Sequence, residues 1–568
     1  QKEENGFPKR PCTEEQDFCA IKKAAAELFR VNRVPQEVER ALNELFFHKP
    51  GDVYGYLANY FTTLSAPPPI SRLNGREIYD SGGKLSVETE VFCIVCNKEK
   101  SMSSAAISSQ CGSKEISLDW KVQSQERADH VKTAVQWISD PLNNMLKAQN
   151  PCDQSEVDQI LRNKIKKEPL RPLIPPSDPP SLTNTAEKSL PPAEPPEPLL
   201  RGSLAIGSVS LAVAKTGAQI QDVPLYKYIA ALKNKEAPTQ FHIPVSLVTL
   251  LSCGKNSPGN LSLLEEIILI PKTGQRIRQV LTTLQSHLWL LHVLSVFSFF
   301  PKHTVHTKKG DFDLIFMPSS SNELSYERPE QPLDLITEVC TNIGLALGTE
   351  IHLALNCAAS ELMDYSKGKY EVATGVLKTP DELVDLYQTL ITKYPAVVAL
   401  IDPFRREDKE QWEKLSNAIG HSCLLLSDIT YKSKVPPLPG VRGHILKHTC
   451  ETTVSDLIHL ASEHQGTRST EEGLPGNQVS VSPLPQAVGL GLDYVKLGGL
   501  SGAERMTKYN RLISIEEELA EQGILVSKEK QPPPLFTEKP QEQSTTVESP
   551  LSDTAASQLA ASASTKKI

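Results

Sequence analysis

Three polar residues stand at the ends of short apolar runs in the C-terminal half of the chain. Asn356 ends "EIHLALN", Asp402 follows "AVVALI", and Asp428 follows "SCLLLS". Continuous apolar runs that alternate with helical patterns predict parallel strands buried on both faces. Residues at the carboxyl ends of such strands line the active site of an α/β barrel. The residues alone therefore predict an α/β barrel with a separate N-terminal cap that contains β-strands, and a site built on these strand ends.

A second candidate for chemistry is the pair Cys93 and Cys96, which has the CxxC spacing of many zinc and redox sites. No second CxxC lies nearby, and on an alternating strand the two side chains would face opposite ways. A half-buried strand is therefore the preferred interpretation. The chain has eleven cysteines, an odd number scattered over 568 residues, which indicates a reducing, cytoplasmic compartment.

The charge and the apolar pattern exclude some partners. The net charge of -8 argues against nucleic acid or an anionic membrane, because both require a basic face. The most apolar run, residues 288–300, is shorter than the roughly 20 residues of a membrane span and contains His292. We interpret it as a buried helix or as sequence that is not native to the protein, and we expect no membrane segment.

Composition divides the chain into five parts. Residues 1–16 are polar and are expected to be disordered, and residues 17–66 carry helical apolar patterns. The cap spans residues 70–235 and contains a proline-rich insertion at 167–200 that cannot form a packed core. The barrel spans residues 240–527, and residues 528–568 form a disordered tail. The cap opens with the alternating pattern of a β-hairpin near residue 75.

Several motifs resemble the enolase family, in the same order along the chain. They are "GREIYDSGGKLSVETEV", "GSVSLAVAKTGAQIQDVPLYKYIAAL", "NCAASELMDYSKGKYEV", "LIDPFRREDKEQWEKLSNAIG" and "VKLGGLSGAERMTKYNRLISIEEEL". The resemblance covers roughly residues 70 to 525 and is closest to divergent enolases of the sperm type. It implies an α+β cap, a C-terminal barrel, and dehydration of 2-phosphoglycerate to phosphoenolpyruvate with two Mg2+ ions. It also implies a cytoplasmic protein of the sperm flagellum.

The resemblance assigns catalytic roles residue by residue. Lys447 in "HILKHT" matches the catalytic base, and Lys496 in "YVKLGG" matches the lysine that holds the substrate carboxylate. Glu266 in "LLEEIILIP" matches a carboxylate that assists hydroxide departure, and Asp313 falls where a catalytic glutamate belongs. Ser257 replaces a substrate-site histidine, and "VSPLPQAV" replaces the family's phosphate-binding loop.

The metal positions do not match. Asn356, Ile401 and Ser427 stand where the family has its three Mg2+ carboxylates. Asp402 and Asp428 are each one residue away, so they could substitute only after a bulge or a change of register. Since Mg2+ requires hard oxygen ligands, we expect weak binding of this cofactor.

The N-terminal helices have a resemblance of their own. "VERALNELFFHKPGDVYGYLANYF" resembles the dimerisation-and-docking helices of protein kinase A regulatory subunits, which bind an amphipathic helix of an anchoring protein. A plain helical hairpin packed on the cap is the alternative.

Two functions are consistent with these residues. The first is a phosphopyruvate hydratase, a carbon–oxygen lyase of glycolysis with weakened activity. The second is a catalytically dead enolase that acts as a scaffold or as a partner subunit. In either case a homodimer, or a heterodimer with other enolases, is expected.

Overall fold

The computed structural model describes residues 15–80, 83–108, 120–167, 200–234, 238–252, 261–272, 274–283, 326–428, 438–448, 450–465, 477–480, 484–500 and 502–526. It begins with three helices, α1 (Glu15–Val31), α2 (Val34–His48) and α3 (Val53–Thr63). Pro35 lies in the first turn of α2, where its missing N–H costs nothing. Asp52 caps α3 by accepting a hydrogen bond from the Gly55 N–H at 2.9 Å.

The cap combines an antiparallel sheet with helices. Its strands are β1 (Ile70–Tyr79), β2 (Leu85–Val95) and β3 (Lys98–Ile107), paired in that order. Its helices are α4 (Trp120–Trp137), α5 (Asn143–Leu146), α6 (Gln154–Lys167), α7 (Leu204–Ile220) and α8 (Leu225–Asn234). Val87 and Thr89 of β2 are fully buried, as the alternating pattern predicts. Cys93 is buried in β2, whereas Cys96 is exposed in the turn that follows it.

Eight strands close into a barrel. They are β4 (Val245–Ser252), β5 (Glu266–Pro271), β6 (Ile351–Asn356), β10 (Val397–Ile401), β11 (Leu424–Asp428), β12 (Val441–Leu446), β13 (Asn477–Ser480) and β14 (Tyr494–Gly498). Pairing of β14 with β4 completes the ring. A small antiparallel sheet, β7 (Met363–Asp364), β8 (Lys369–Ala373) and β9 (Val376–Lys378), follows β6.

The helices that follow the barrel strands supply much of the outer layer. They are α9 (Glu330–Ile343), α10 (Pro380–Lys393), α11 (Lys409–Ile419), α12 (Val454–Gln465), α13 (Leu484–Gly489) and α14 (Ala503–Glu521). Residues 277–283 are also helical. Alternation of strands and helices confirms the predicted α/β class with an α+β cap.

One strand runs against the prediction that the apolar runs form parallel strands. β5 is antiparallel to both of its neighbours, β4 and β6. Antiparallel neighbours need no helical crossover, and the described residues between β4 and β5 contain none. Because of this reversal, the first residue of β5, Glu266, lies at the rim where the parallel strands end.

The barrel interior is filled by an apolar layer, here called the interior cluster. Its buried members are Val245, Leu247, Ile268, Ile270, Ala354, Ala399, Ile401, Leu426, Ile445 and Tyr494. They come from seven different barrel strands, so the barrel is a packed core rather than a channel.

Several predicted segments lie outside the described residues: residues 168–199 of the insertion 167–200, the tail 528–568, the apolar run 288–300, Ser257 and Asp313. Among the helices that are described, none is long and apolar enough to span a bilayer.

Candidate active site at the barrel mouth

The candidate site lies at the barrel mouth, the rim where the parallel strands end and β5 begins. Glu266 pairs in the β-ladder with Asn356, the last residue of β6. Glu266, Asn356 and Lys496 each lie two residues along a strand from a member of the interior cluster. Since side chains two residues apart share a face, all three rise above the apolar layer on the inside of the barrel.

These three side chains form one polar network. The Lys496 ammonium contacts Oε2 of Glu266, and both side chains are largely buried. Asn356 Nδ2 donates to Oε2 of Glu265 at 2.9 Å and to Oε2 of Glu266 at 3.2 Å. The amide orientation follows from chemistry, because its carbonyl oxygen would be repelled by two carboxylates.

Glu265 is a site residue that the sequence analysis did not identify. Its backbone N–H donates to the Asn356 carbonyl at 2.8 Å, which extends the β5–β6 ladder by one residue. Burial, followed by the charges of Glu266 and Glu361, raises the pKa of its carboxyl, while Lys496 and Lys447 oppose that rise. The sequence feature that could have indicated Glu265 is the adjacent pair Glu265–Glu266 at the start of an apolar run.

Lys447 lies immediately after β12 and two residues beyond Ile445 of the interior cluster. Its positive charge acts on the Glu265 carboxyl, as that of Lys496 does. The structure thus brings Lys447, Lys496 and Glu266, which were predicted separately from three strands, to the same region of the mouth.

The segment that follows Lys447 is held by the cap. The Gly207 N–H donates to the Cys450 carbonyl at 2.9 Å, and the Val454 N–H donates to Ser210 Oγ at 2.9 Å. Asp158 of α6 accepts from the Ser455 N–H at 2.9 Å and from Ser210 Oγ at 2.6 Å. Since Asp158 is fully buried, these bonds fix the start of α12, and with it the loop that carries Lys447.

The three predicted metal positions have different surroundings. Asn356 presents its amide nitrogen to the carboxylates, and Ile401 is 3% exposed inside the interior cluster. The Ser427 hydroxyl is buried and has no hydrogen-bond partner in the part of the chain that is described. Asp428 ends β11 and pairs with Ile445 in the ladder.

Asp402 does not continue the strand that precedes it. Its φ of 46° is in the left-handed region, and it precedes Pro403, so strand alternation does not set its direction. Burial, together with the charges of Asp402 and Glu265, raises the pKa of the Cys357 thiol to about 12. That thiol is therefore an inert neighbour of the site.

The donor set does not fit Mg2+. The ion needs about six oxygen ligands in octahedral geometry. Here the Lys496 ammonium contacts Oε2 of Glu266, the Asn356 amide N–H2 group faces Oε2 of both glutamates, and Ile401 offers no donor. A divalent ion about 4 Å from an ammonium would be opposed by about 8 kcal/mol at an effective dielectric constant near 20. Among the residues that the structure describes, no group of three or more His, Cys, Asp or Glu side chains could hold a metal ion.

Comparison with known proteins identifies the class of protein. The family described as the enolase C-terminal TIM-barrel domain matches residues 240–435, and the match ends before Lys447 and Lys496. The chain belongs to the enolase family.

Its relatives within that family include Enolase 4 of Danio rerio, which is 40% identical over 91% of this chain and 95% of that protein. Enolase 4 of Xenopus laevis is 41% identical over 89% of this chain and 93% of that protein. Enolase 4 of Homo sapiens is 39% identical over 92% of this chain and 91% of that protein. Membership of the family supports an enolase-like function of the carbon–oxygen lyase class.

Proposed function

We propose that the barrel mouth binds 2-phosphoglycerate and phosphoenolpyruvate, and that the chain is a phosphopyruvate hydratase of weak activity. The observation that carries this proposal is the convergence of Glu266, Lys496 and Lys447 at one rim of the barrel. Elimination of water requires a base that takes the proton and a group that assists departure of the hydroxide.

The proposed chemistry assigns one role to each side chain. Lys447 removes the proton next to the substrate carboxylate, and Lys496 neutralises that carboxylate. The C–O bond breaks as the C=C bond forms, and hydroxide leaves as water on the side of Glu266. Burial raises the pKa of the Glu265 carboxyl, which favours uptake of the proton that the departing hydroxide needs.

Weak turnover follows from the charges present. The enolate formed by proton removal carries two negative charges, and stabilisation of developing charge is usually the largest catalytic effect. Only the two lysines provide this stabilisation in the proposed mechanism. Ile401 and the amide nitrogen of Asn356 replace groups that the family resemblance expects to be anionic.

The test is a turnover assay on the full chain and on Lys447→Ala. A general base contributes about 10²–10⁴-fold, so this variant should lose nearly all measurable turnover. Lys496→Ala should mainly weaken substrate binding. Turnover of unmodified chain that is unchanged by Lys447→Ala would contradict the assignment.

The buried Ile401 supports a second candidate, a pseudoenzyme that serves as a scaffold or partner subunit. This function predicts no turnover above that of a Lys447→Ala preparation, together with retained association with itself or with other enolases. Assays of turnover and of association on the same sample separate the two functions.

We further propose that the N-terminal helices pair with a second copy and present a groove to an anchoring helix. Exposed aromatic side chains support this proposal: Phe46, Phe47 and Tyr54 are 78%, 82% and 85% exposed. Among the side chains of these helices that are described, from residue 20 onward, only Ala41 is fully buried. A location in the sperm flagellum is proposed on the resemblance alone, and immunofluorescence of sperm tests it.

A further inference from the structure

The Glu266 carboxylate already has a cation beside it. Lys496 comes from β14 and Glu266 from β5, two strands separated in the ring only by β4. Both side chains stand above the interior cluster, so their charges face each other at the top of a dry apolar layer. Few solvent molecules reach such a pair, and its attraction is correspondingly strong.

The same Glu266 oxygen, and one oxygen of Glu265, face an amide donor as well. Asn356 Nδ2 lies 2.9 Å from Glu265 Oε2 and 3.2 Å from Glu266 Oε2. An amide nitrogen cannot ligate a cation, since it carries no available lone pair. A metal ion at Oε2 of Glu266 would have to displace both Lys496 and Asn356.

We propose that the barrel mouth binds its acidic ligand without a divalent cation, because the Lys496 ammonium already supplies a positive charge at Glu266 and the Asn356 amide nitrogen faces both glutamates. This inference rests on the proposed function, which supplies the ligand class, a small phosphorylated carboxylic acid. Lys447, whose charge also acts on Glu265, adds the second positive charge that such a ligand requires.

The first arm of the test is calorimetric titration of the full chain with phosphoenolpyruvate, in excess EDTA and in millimolar magnesium. We expect dissociation constants that agree within about two-fold, whereas loss of a required cation would change them ~10-fold or more. Lys496→Arg, which keeps the charge, should retain binding, and Lys496→Met should lose it.

The second arm titrates Mg2+ alone. Lys496→Met removes the positive charge beside Glu266, so this loss of a lysine should raise Mg2+ affinity above that of the unmodified chain. The matched control is the double variant Lys496→Met with Glu266→Gln, which removes both charges and should show no such gain. Circular dichroism verifies that each variant is folded.

The outcomes separate the inference from the proposed function. Phosphoenolpyruvate binding that occurs only with magnesium overturns the inference and leaves the proposed function standing. Absence of binding by the folded chain in both buffers overturns both. Equal binding in both buffers, with a gain of Mg2+ affinity in Lys496→Met alone, supports the inference.

Discussion

At the scale of single residues, Asn356 is the residue that links the two glutamates of the barrel mouth. One amide nitrogen bridges Glu265 and Glu266, two carboxylates that would otherwise repel each other. An aspartate in the same place would add a third negative charge to this group. The two carboxylates thus share the neutral amide of Asn356, and Lys496 provides the positive charge that opposes theirs.

Placing carboxylates at the three predicted metal positions should increase the affinity of the barrel mouth for Mg2+. The triple variant Asn356→Asp, Ile401→Glu, Ser427→Asp is expected to bind Mg2+ more tightly than the unmodified chain, and any turnover should rise. Each single change should do less, because one charge cannot complete the shell of the ion. Calorimetry measures the affinity.

Full Mg2+ affinity in Asn356→Asp alone would contradict this expectation. Ile401→Glu alone should mainly destabilise the fold, since it buries a carboxylate in the interior cluster.

His130 makes the stability of the cap depend on pH. Burial, with a smaller effect of Arg201, lowers the pKa of this imidazole to about 4, and its Nδ1 accepts from the Gly202 N–H at 3.1 Å. The unfolded chain binds the proton near pH 6.5 and the folded chain only near pH 4. Stability is therefore complete above pH 6.5 and falls as pH drops towards 4, by at most about 3 kcal/mol for this residue.

Thermal unfolding between pH 7.5 and 4.5, in ~0.15 M salt, measures this effect. His130→Asn keeps an acceptor in the position of Nδ1 and cannot titrate, so its melting temperature should fall less over the same range. Equal falls in the two proteins would show that His130 does not carry the effect.

The residues of the site were predictable to different degrees. Lys447, Lys496 and Glu266 follow from motifs, because each lies in or next to a recognisable strand. The sequence did not indicate that Glu265 belongs to the site. The alternation of side chains along a strand does not predict the direction of a residue that lies just before the strand. The backbone of Asp402 was not predictable, since its left-handed conformation depends on hydrogen bonds such as that from its N–H to the Leu426 carbonyl at 3.0 Å.

At the scale of elements, the direction of β5 places Glu266. The apolar run "EIILIP" reads the same for a parallel strand and for an antiparallel one, so the sequence identified the strand but not its direction. If β5 ran parallel to its neighbours, its first residue, Glu266, would lie at the opposite end of the barrel from Lys496. The reversal brings a carboxylate to the mouth.

The contact between α6, α7 and α12 should be sensitive to Asp158. Asp158→Ala leaves the Ser455 N–H, Ser210 Oγ and Gln154 Nε2 without this acceptor. Each buried donor left unpaired costs about 1–3 kcal/mol, so we expect a loss of about 3–5 kcal/mol in the free energy of unfolding.

Denaturant unfolding measures this loss. Glu156→Ala, on the exposed side of the same helix, is the matched control and should change stability by less than about 0.5 kcal/mol. If the two variants are equally stable, Asp158 does not anchor α12.

At the scale of the whole molecule, the apolar surface is unevenly distributed. Among the described residues, twelve of the fifteen exposed large apolar side chains lie between Ile21 and Leu64. Aromatic side chains bury about 150–250 Å² each, and a stable interface needs about 800 Å² per partner. The three N-terminal helices carry enough apolar surface for such an interface.

Replacing Phe46, Phe47 and Tyr54 together by serine should therefore weaken self-association of the full chain. Sedimentation velocity over a range of concentrations measures the change. Tyr79→Ser is the matched control, because Tyr79 is 75% exposed but lies in β1 of the cap. An equal effect of the control, or no effect of the triple change, would remove the helices from the interface.

The closure of the barrel by β4 and β14 has a consequence for how the chain is made. The ribosome completes β14 about 250 residues after β4, which takes roughly 10–50 s at ~5–20 residues per second. During that time β4 can pair with β5, which follows it closely, but its other edge is open. An apolar strand with an open edge is a template for aggregation. The free edge of β4 is therefore exposed to mispairing until the last barrel strand emerges.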